Sequence, residues 1–144
     1  MLVRQQHFAG LLKLAQRLPQ LRIMIDHIGH MPIDGPAITA EWPAAYHRLA
    51  AQPNIFMKVS AVMEQSIIQP APSEIDFYRP ALDALWDAFR EDRPIYGSNR
   101  PILKRAGSLA DSLTIVKTDF AEKGETAGQK YFCDNAKAVY KWPD

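Results

Sequence analysis

At 144 residues the chain has the length of one ordinary domain, and 47% apolar with 23% charged residues is globular composition, which argues against a disordered or fibrous chain. Seventeen basic against sixteen acidic side chains leave a formal charge of +1 with no polybasic run, so neither nucleic acid nor an anionic membrane surface is expected as a partner. No run of about 18 apolar residues occurs, the N-terminal Met-Leu-Val-Arg-Gln-Gln-His has no apolar signal core, and the single cysteine, Cys133, cannot form an internal disulfide and reads as a small buried thiol; a cytoplasmic protein is the expectation.

The first helix is predicted from about Gln6 to Leu18, with Phe8, Leu11, Leu12, Ala15 and Leu18 facing inward and Pro19 ending it. A strand buried on both faces follows at Arg22 to His27. After a loop with Pro32, Gly35 and Pro36, a second helix near Glu41 to Ala51 carries Trp42, Ala45, Tyr46 and Leu49 on one side. Asn54 to Ser60 is the next continuous apolar run, and Gln69-Pro70-Ala71-Pro72 breaks regular structure before a helix capped by Ser73 with Asp76 and running to Phe89. Leu82, Leu85, Trp86 and Phe89 recur there at helical spacing. A third strand at Arg93 to Ser98 precedes a helix with a Ser108/Asp111 capping box that stops near Lys123 at Gly124, and a last helix covers Thr126 to Tyr140. Trp42, Trp86, Phe89 and Tyr140 are all assigned to the core.

The alternation is that of an α/β protein, expected to be one domain over residues 1–144, with parallel strands and right-handed crossovers. Periodicity leaves open whether the sheet is doubly wound or an arc of a closed barrel. The chemistry of either lies at the strand ends, and these are polar here: Asp26-His27-Ile28-Gly29-His30, Lys58-Val59-Ser60, and Gly97-Ser98-Asn99-Arg100-Pro101.

These ends resemble the amidohydrolase-2 family of metal-dependent hydrolases and lactonases. Pro19-Gln20-Leu21-Arg22-Ile23-Met24-Ile25-Asp26-His27-Ile28-Gly29 is similar to that family's Pro-x-Leu-x-apolar-apolar-Asp-His-apolar-Gly stretch, and Pro53-Asn54-Ile55-Phe56-Met57-Lys58-Val59-Ser60 to its Pro-Asn-to-Lys-x-Ser strand. Asp92 to Pro101 resembles the last barrel strand, and Asn135-Ala136-Lys137-Ala138-Val139-Tyr140 the closing helix. The resemblance implies a partial (β/α)8 barrel, namely strands six to eight. It also implies that five strands are absent, since a whole barrel takes about 250 residues and no His-x-His of a first strand occurs among His7, His27, His30 and His47.

By the same resemblance His27 is a metal ligand or a polar contact to substrate and Lys58 holds substrate. Asn99 stands where the family usually has a metal-binding, proton-accepting Asp, a role an amide cannot fill. The complete enzyme would use a divalent metal, zinc or similar, to activate water. This chain alone offers one ligand, His27, where about three are needed, so none is expected to be held. Arg100 reads as a surface residue, His30 as a loop residue contacting solvent or the loop backbone, and Asp26 as pointing away from His27 along the strand. The function implied is the C-terminal portion of a hydrolase cleaving a C–O or C–N bond of a small carboxylated substrate, inactive in isolation. The competing expectation is a non-catalytic half-barrel that self-associates or pairs with the missing N-terminal barrel part, because its strand edges and apolar inner face lack cover. A flavodoxin-like nucleotide domain lacks a Gly-rich phosphate loop.

Overall fold

The three apolar runs pair as parallel strands in the computed structural model, which describes residues 1–142. β1 (Ile23–Ile25), β2 (Ile55–Val59) and β3 (Pro94–Tyr96) lie in the order β1-β2-β3, with Ile25 opposite Met57 and Val59 opposite Tyr96. The strands are shorter than the apolar runs, because the ladder stops where the backbone swings into left-handed conformation at His27. Around them lie α1 (Phe8–Arg17), α2 (Glu41–Ala50), α3 (Ile75–Phe89), α4 (Leu109–Glu122), α5 (Glu125–Gln129) and α6 (Asn135–Tyr140). Helices α2 and α3 pack against each other, and so do α3 and α4. Consecutive strand order with crossovers on one side is the geometry of a barrel arc rather than of a sheet whose order reverses.

One face of the sheet packs on these helices: Ile25, Ile55, Met57 and Val59 are buried with Tyr46, Leu49, Leu85 and Phe89. The other face carries Met24, Phe56 and Ile95, and it is not left bare. Val139 and Ala136 of α6 cross onto it, so the chain covers with its own last helix part of the surface expected to be open. Met1 adds a further parallel contact at the edge of β1, its nitrogen donating to Met24 O and its carbonyl accepting from Asp26 N at 3.0 Å.

Several local expectations need correction. Glu74, not Ser73, occupies the cap position of α3 and makes no side-chain cap bond; the helix start is held instead by Tyr78, whose hydroxyl donates to Pro72 O at 2.6 Å. The last helix is not continuous: residues Lys130–Asp134 widen into a π-helical turn between α5 and α6. Cys133 on that turn is half-buried, and Tyr140 is 41% exposed rather than core. The Ser108 cap is present, its Oγ accepting from Asp111 N at 3.0 Å, but the Asp111 carboxylate takes the Ser108 hydroxyl instead of completing a backbone box.

Two buried asparagines act as clamps. Asn54 Nδ2 donates toward the carbonyls of Ala15, Leu18 and Leu21 at 2.9–3.2 Å, tying the end of α1 to the approach of β2. Asn135 Nδ2 donates to Glu91 O and Pro94 O at 2.8 and 2.9 Å, fixing α6 to the start of β3. Each replaces water on carbonyls that burial would otherwise leave unpaired.

The α3–α4 interface is ionic: Lys123 bonds Asp83, and Arg79 reaches both Asp76 and Glu122. Asp119 sits beneath these pairs, 1% exposed, with Oδ1 lacking a hydrogen-bond partner and Lys123 Nζ at 3.8 Å. Burial pushes its carboxyl up to about 6, Lys123 opposing and Asp83 adding to the rise. Because the folded state holds this proton more tightly than the unfolded chain, ionisation costs stability as pH rises from about 4 to about 6, and the cost is complete above that. Asp119→Asn is therefore expected to stabilise the chain at pH 7.5 by about 2 kcal/mol and to be neutral below about pH 4, as read from urea melts at the two pH values.

Candidate active site

The register of the sheet brings the C-terminal ends of all three strands to one rim. Each leaves the sheet through a non-glycine residue with positive φ: His27 (56°) after β1, Ala61 (56°) after β2 and Asn99 (52°) after β3. After β1 the left-handed run extends over His27, Ile28, Gly29 and His30. Buried Tyr46 holds this turn by donating its hydroxyl to Ile28 O at 2.7 Å. Gly29 eases one position of this run, with φ at +67°, and a Cβ there would stand 2.8 Å from Phe8 Cζ.

His27, Lys58 and Asn99, the residues picked out in the sequence, all line a single cleft of about 350 Å³ together with Asp26, Ser60 and Tyr96. Its outer wall is α6 and the residues after it, with Tyr140 and Trp142 stacked at 5.5 Å. Arg100 is exposed and lies outside it. Asp26 does not point away from His27. The alternation of a strand has already ended at His27, and the Asp26 carboxylate lines the same cleft, 3.0 Å from Lys58 Nζ. His30 is likewise not a solvent-facing loop residue. It is half-buried, with its ring 5.6 Å from that of His27 and Nε2 buried without a hydrogen-bond partner, because the left-handed turn folds it back.

The electrostatics follow from this packing. Burial lowers the His27 pKa below its ordinary value; Asp26 opposes the shift, and His30 and Lys58 add to it. The imidazole is therefore neutral at pH 7, with Nδ1 2.8 Å from Ser60 Oγ and Nε2 free of hydrogen bonds among the described residues. Burial would lower Lys58, but Asp26 and Tyr140 together outweigh it, so its pKa lies above the ordinary value and the side chain is an ammonium. Lys58 also stands 5.9 Å from the Tyr140 ring centre. Asp26 is pulled below the usual carboxylate range by the Met1 ammonium and Lys58, against the effect of burial. Asn99 donates from Nδ2 to Glu64 Oε1 at 2.7 Å.

Sequence reasoning missed Ser60 as the partner of His27, Glu64 as the partner of Asn99, and Tyr140 as a wall. Ser60 and Tyr140 were both within recognisable motifs; Glu64 carried no signal at all. As a cation site the set is incomplete: among the described residues no three His, Cys, Asp or Glu side chains converge. His27 Nε2 is one nitrogen donor beside the Lys58 ammonium and the Asn99 amide, and the described residues do not by themselves fit a metal.

The fold and rim define the class first: an arc of a (β/α)8 barrel with its polar residues at the C-terminal strand ends. A family model described as Amidohydrolase matches residues 3–142, and the chain belongs to that family. It is 36% identical over 110 residues to an L-fucono-1,5-lactonase of Burkholderia ambifaria, covering 76% of this chain and 37% of that protein. An L-fucono-1,5-lactonase of Burkholderia multivorans is 28% identical over 115 residues, covering 75% and 38%. In structure the chain matches an amidohydrolase from Burkholderia multivorans with bound zinc at a TM-score of 0.87 and 23% identity, covering 99% of this chain and 52% of that one. Amidohydrolase 2 from Bifidobacterium longum subsp. infantis matches at 0.70 and 22%, covering 98% and 48%. The chain thus spans little more than a third of the curated relatives it matches and about half of these solved structures. No helix among the described residues is long and apolar enough to cross a membrane.

Gly97 sets the close approach of the site's walls. A Cβ there would lie 2.9 Å from Ser60 Cβ and 3.1 Å from Lys58 Cδ. Gly97→Ala is expected to cost about 1–3 kcal/mol in chemical denaturation and to shift the His27 and Lys58 NMR resonances, whereas Gly128→Ala, with open space around it, is expected to leave those resonances in place.

Proposed function

We propose that this chain is the C-terminal portion of an amidohydrolase-family hydrolase that opens a C–O bond in a small lactone yielding a carboxylate, and that on its own it does not turn that substrate over. The observation that carries the reading is the convergence of neutral His27, cationic Lys58 and Asn99 in one cleft at the strand ends. The lactonase relatives favour a sugar lactone over an amide. Lys58 binds the anionic or carbonyl oxygen of the substrate, in competition with Asp26 for the same ammonium. In the tautomer that carries its proton on Nδ1, His27 donates to Ser60 Oγ, and the Nε2 lone pair is then the one offered to a metal or to a proton of the attacking water. Asn99 presents an amide to the same space and orients water there. In the complete enzyme a divalent metal would activate that water. His27 is the ligand this chain contributes, and the others must come from outside these residues.

A second reading, an assembly element that joins another chain through its strand edge, draws on the parallel-type contact that the single residue Met1 makes beside Ile25 at the edge of β1. A monodisperse monomer by light scattering at high concentration counts against it.

The hydrolase reading is tested by titrating the isotope-labelled chain with L-fuconate and assaying it with L-fucono-1,5-lactone in the presence of zinc. Resonances of His27, Lys58 and Asn99 should move, Lys58→Met should weaken binding by about tenfold or more, and hydrolysis should stay at the buffer rate. Ligand shifts confined to other residues would remove the site from the rim, and turnover by the chain alone would show that it is catalytically complete.

A further inference from the structure

Glu64 lies in the short turn Met63–Gln65 after β2, outside the cleft lining. Its Oε1 takes the Asn99 Nδ2 hydrogen bond at 2.7 Å, while Oε2 is buried without a hydrogen-bond partner among the described residues. Tyr78, the nearby phenol on α3, commits its hydroxyl to Pro72 O and does not donate to this carboxylate. Asn99 thus supplies the one hydrogen bond that this carboxylate receives among the described side chains. An amide carries its nitrogen and oxygen on opposite sides of one carbon. With Nδ2 turned to Glu64, Oδ1 is turned away from it.

We propose that Glu64 is a positioning residue: it locks the Asn99 amide so that the carbonyl oxygen is presented to the cleft, and position 99 carries an amide because a carboxylate already stands behind it. Two carboxylates at this separation could not both stay ionised, whereas an amide gives Glu64 a charge-assisted donor and gives the cleft a fixed acceptor. The pair therefore carries one negative charge, on the turn after β2 instead of at the end of β3, where the family pattern usually places it. The relevance of this to chemistry rests on the reading of Asn99 as a site residue, but the coupling itself does not.

The test uses the intact chain with Glu64→Gln, Glu64→Ala, Asn99→Asp and the double variant Asn99→Asp/Glu64→Gln. In the parent, the Asn99 side-chain amide protons should exchange slowly with water; exchange should quicken about tenfold or more in Glu64→Ala and stay slow in Glu64→Gln, whose carbonyl still accepts. At pH 7.5 Asn99→Asp should lower Tm by about 4 °C or more, and adding Glu64→Gln should restore most of the loss, because the amide introduced on the β2 turn then donates to the new carboxylate. Should Glu64→Ala fail to fold, the double variant still decides the matter. Equal Asn99 exchange rates in the parent and in Glu64→Ala, or an Asn99→Asp loss that Glu64→Gln does not relieve, overturns the proposal. Neither readout involves turnover, so a failed hydrolase assay leaves this result intact and legible.

Discussion

Parallel pairing in register lets three strands finish side by side, and at each finish the backbone must turn sharply enough to throw the next side chains over the sheet's end. His27, Ala61 and Asn99 make those turns in left-handed conformation without being glycine, at a typical cost of about 1–2 kcal/mol each. Ile28, a β-branched residue, adds a further unfavourable position next to His27. Such strain persists only where the surroundings impose it, and here they do so through Tyr46 at Ile28 O, Phe8 against Gly29 and Glu64 on Asn99. The polar residues of the cleft owe their convergence to this geometry.

Charge is arranged around a single ammonium. Lys58 is inside a strand whose other face is core, yet its stem runs past Gly97 and its head meets Asp26. The His27 imidazole stands beside this lysine, and Asp26 is the carboxylate that answers the ammonium in the cleft. Tyr140 and Trp142 add an aromatic wall from the far end of the chain.

Much of this was legible in the amino-acid order because strands buried by helices on one face and α6 on the other read as unbroken apolar runs, and amphipathic helices show their stripe. The rim was legible too, as polar residues following those runs. The sense of the backbone at His27 was not: periodicity assigns Asp26 and His27 to opposite sides only as long as the strand continues, and it ends between them. Tyr140 falls on the helical spacing of core residues, and nothing in that spacing says that Val139 and Ala136 face the sheet while Tyr140 hangs over its edge. The bond between Asn99 and Glu64 joins residues 35 positions apart, beyond any local pattern.

The asparagine clamps bear on how far a sequence signature can be taken. Asn54 and Asn135 both belong to the stretches that make this chain resemble its family, and both donate their side-chain amides to main-chain carbonyls away from the cleft. A descendant that lost every useful group at the cleft would still need them to stay folded. Part of such a signature therefore records architecture, and the residues at the strand ends are the part that lines the cleft.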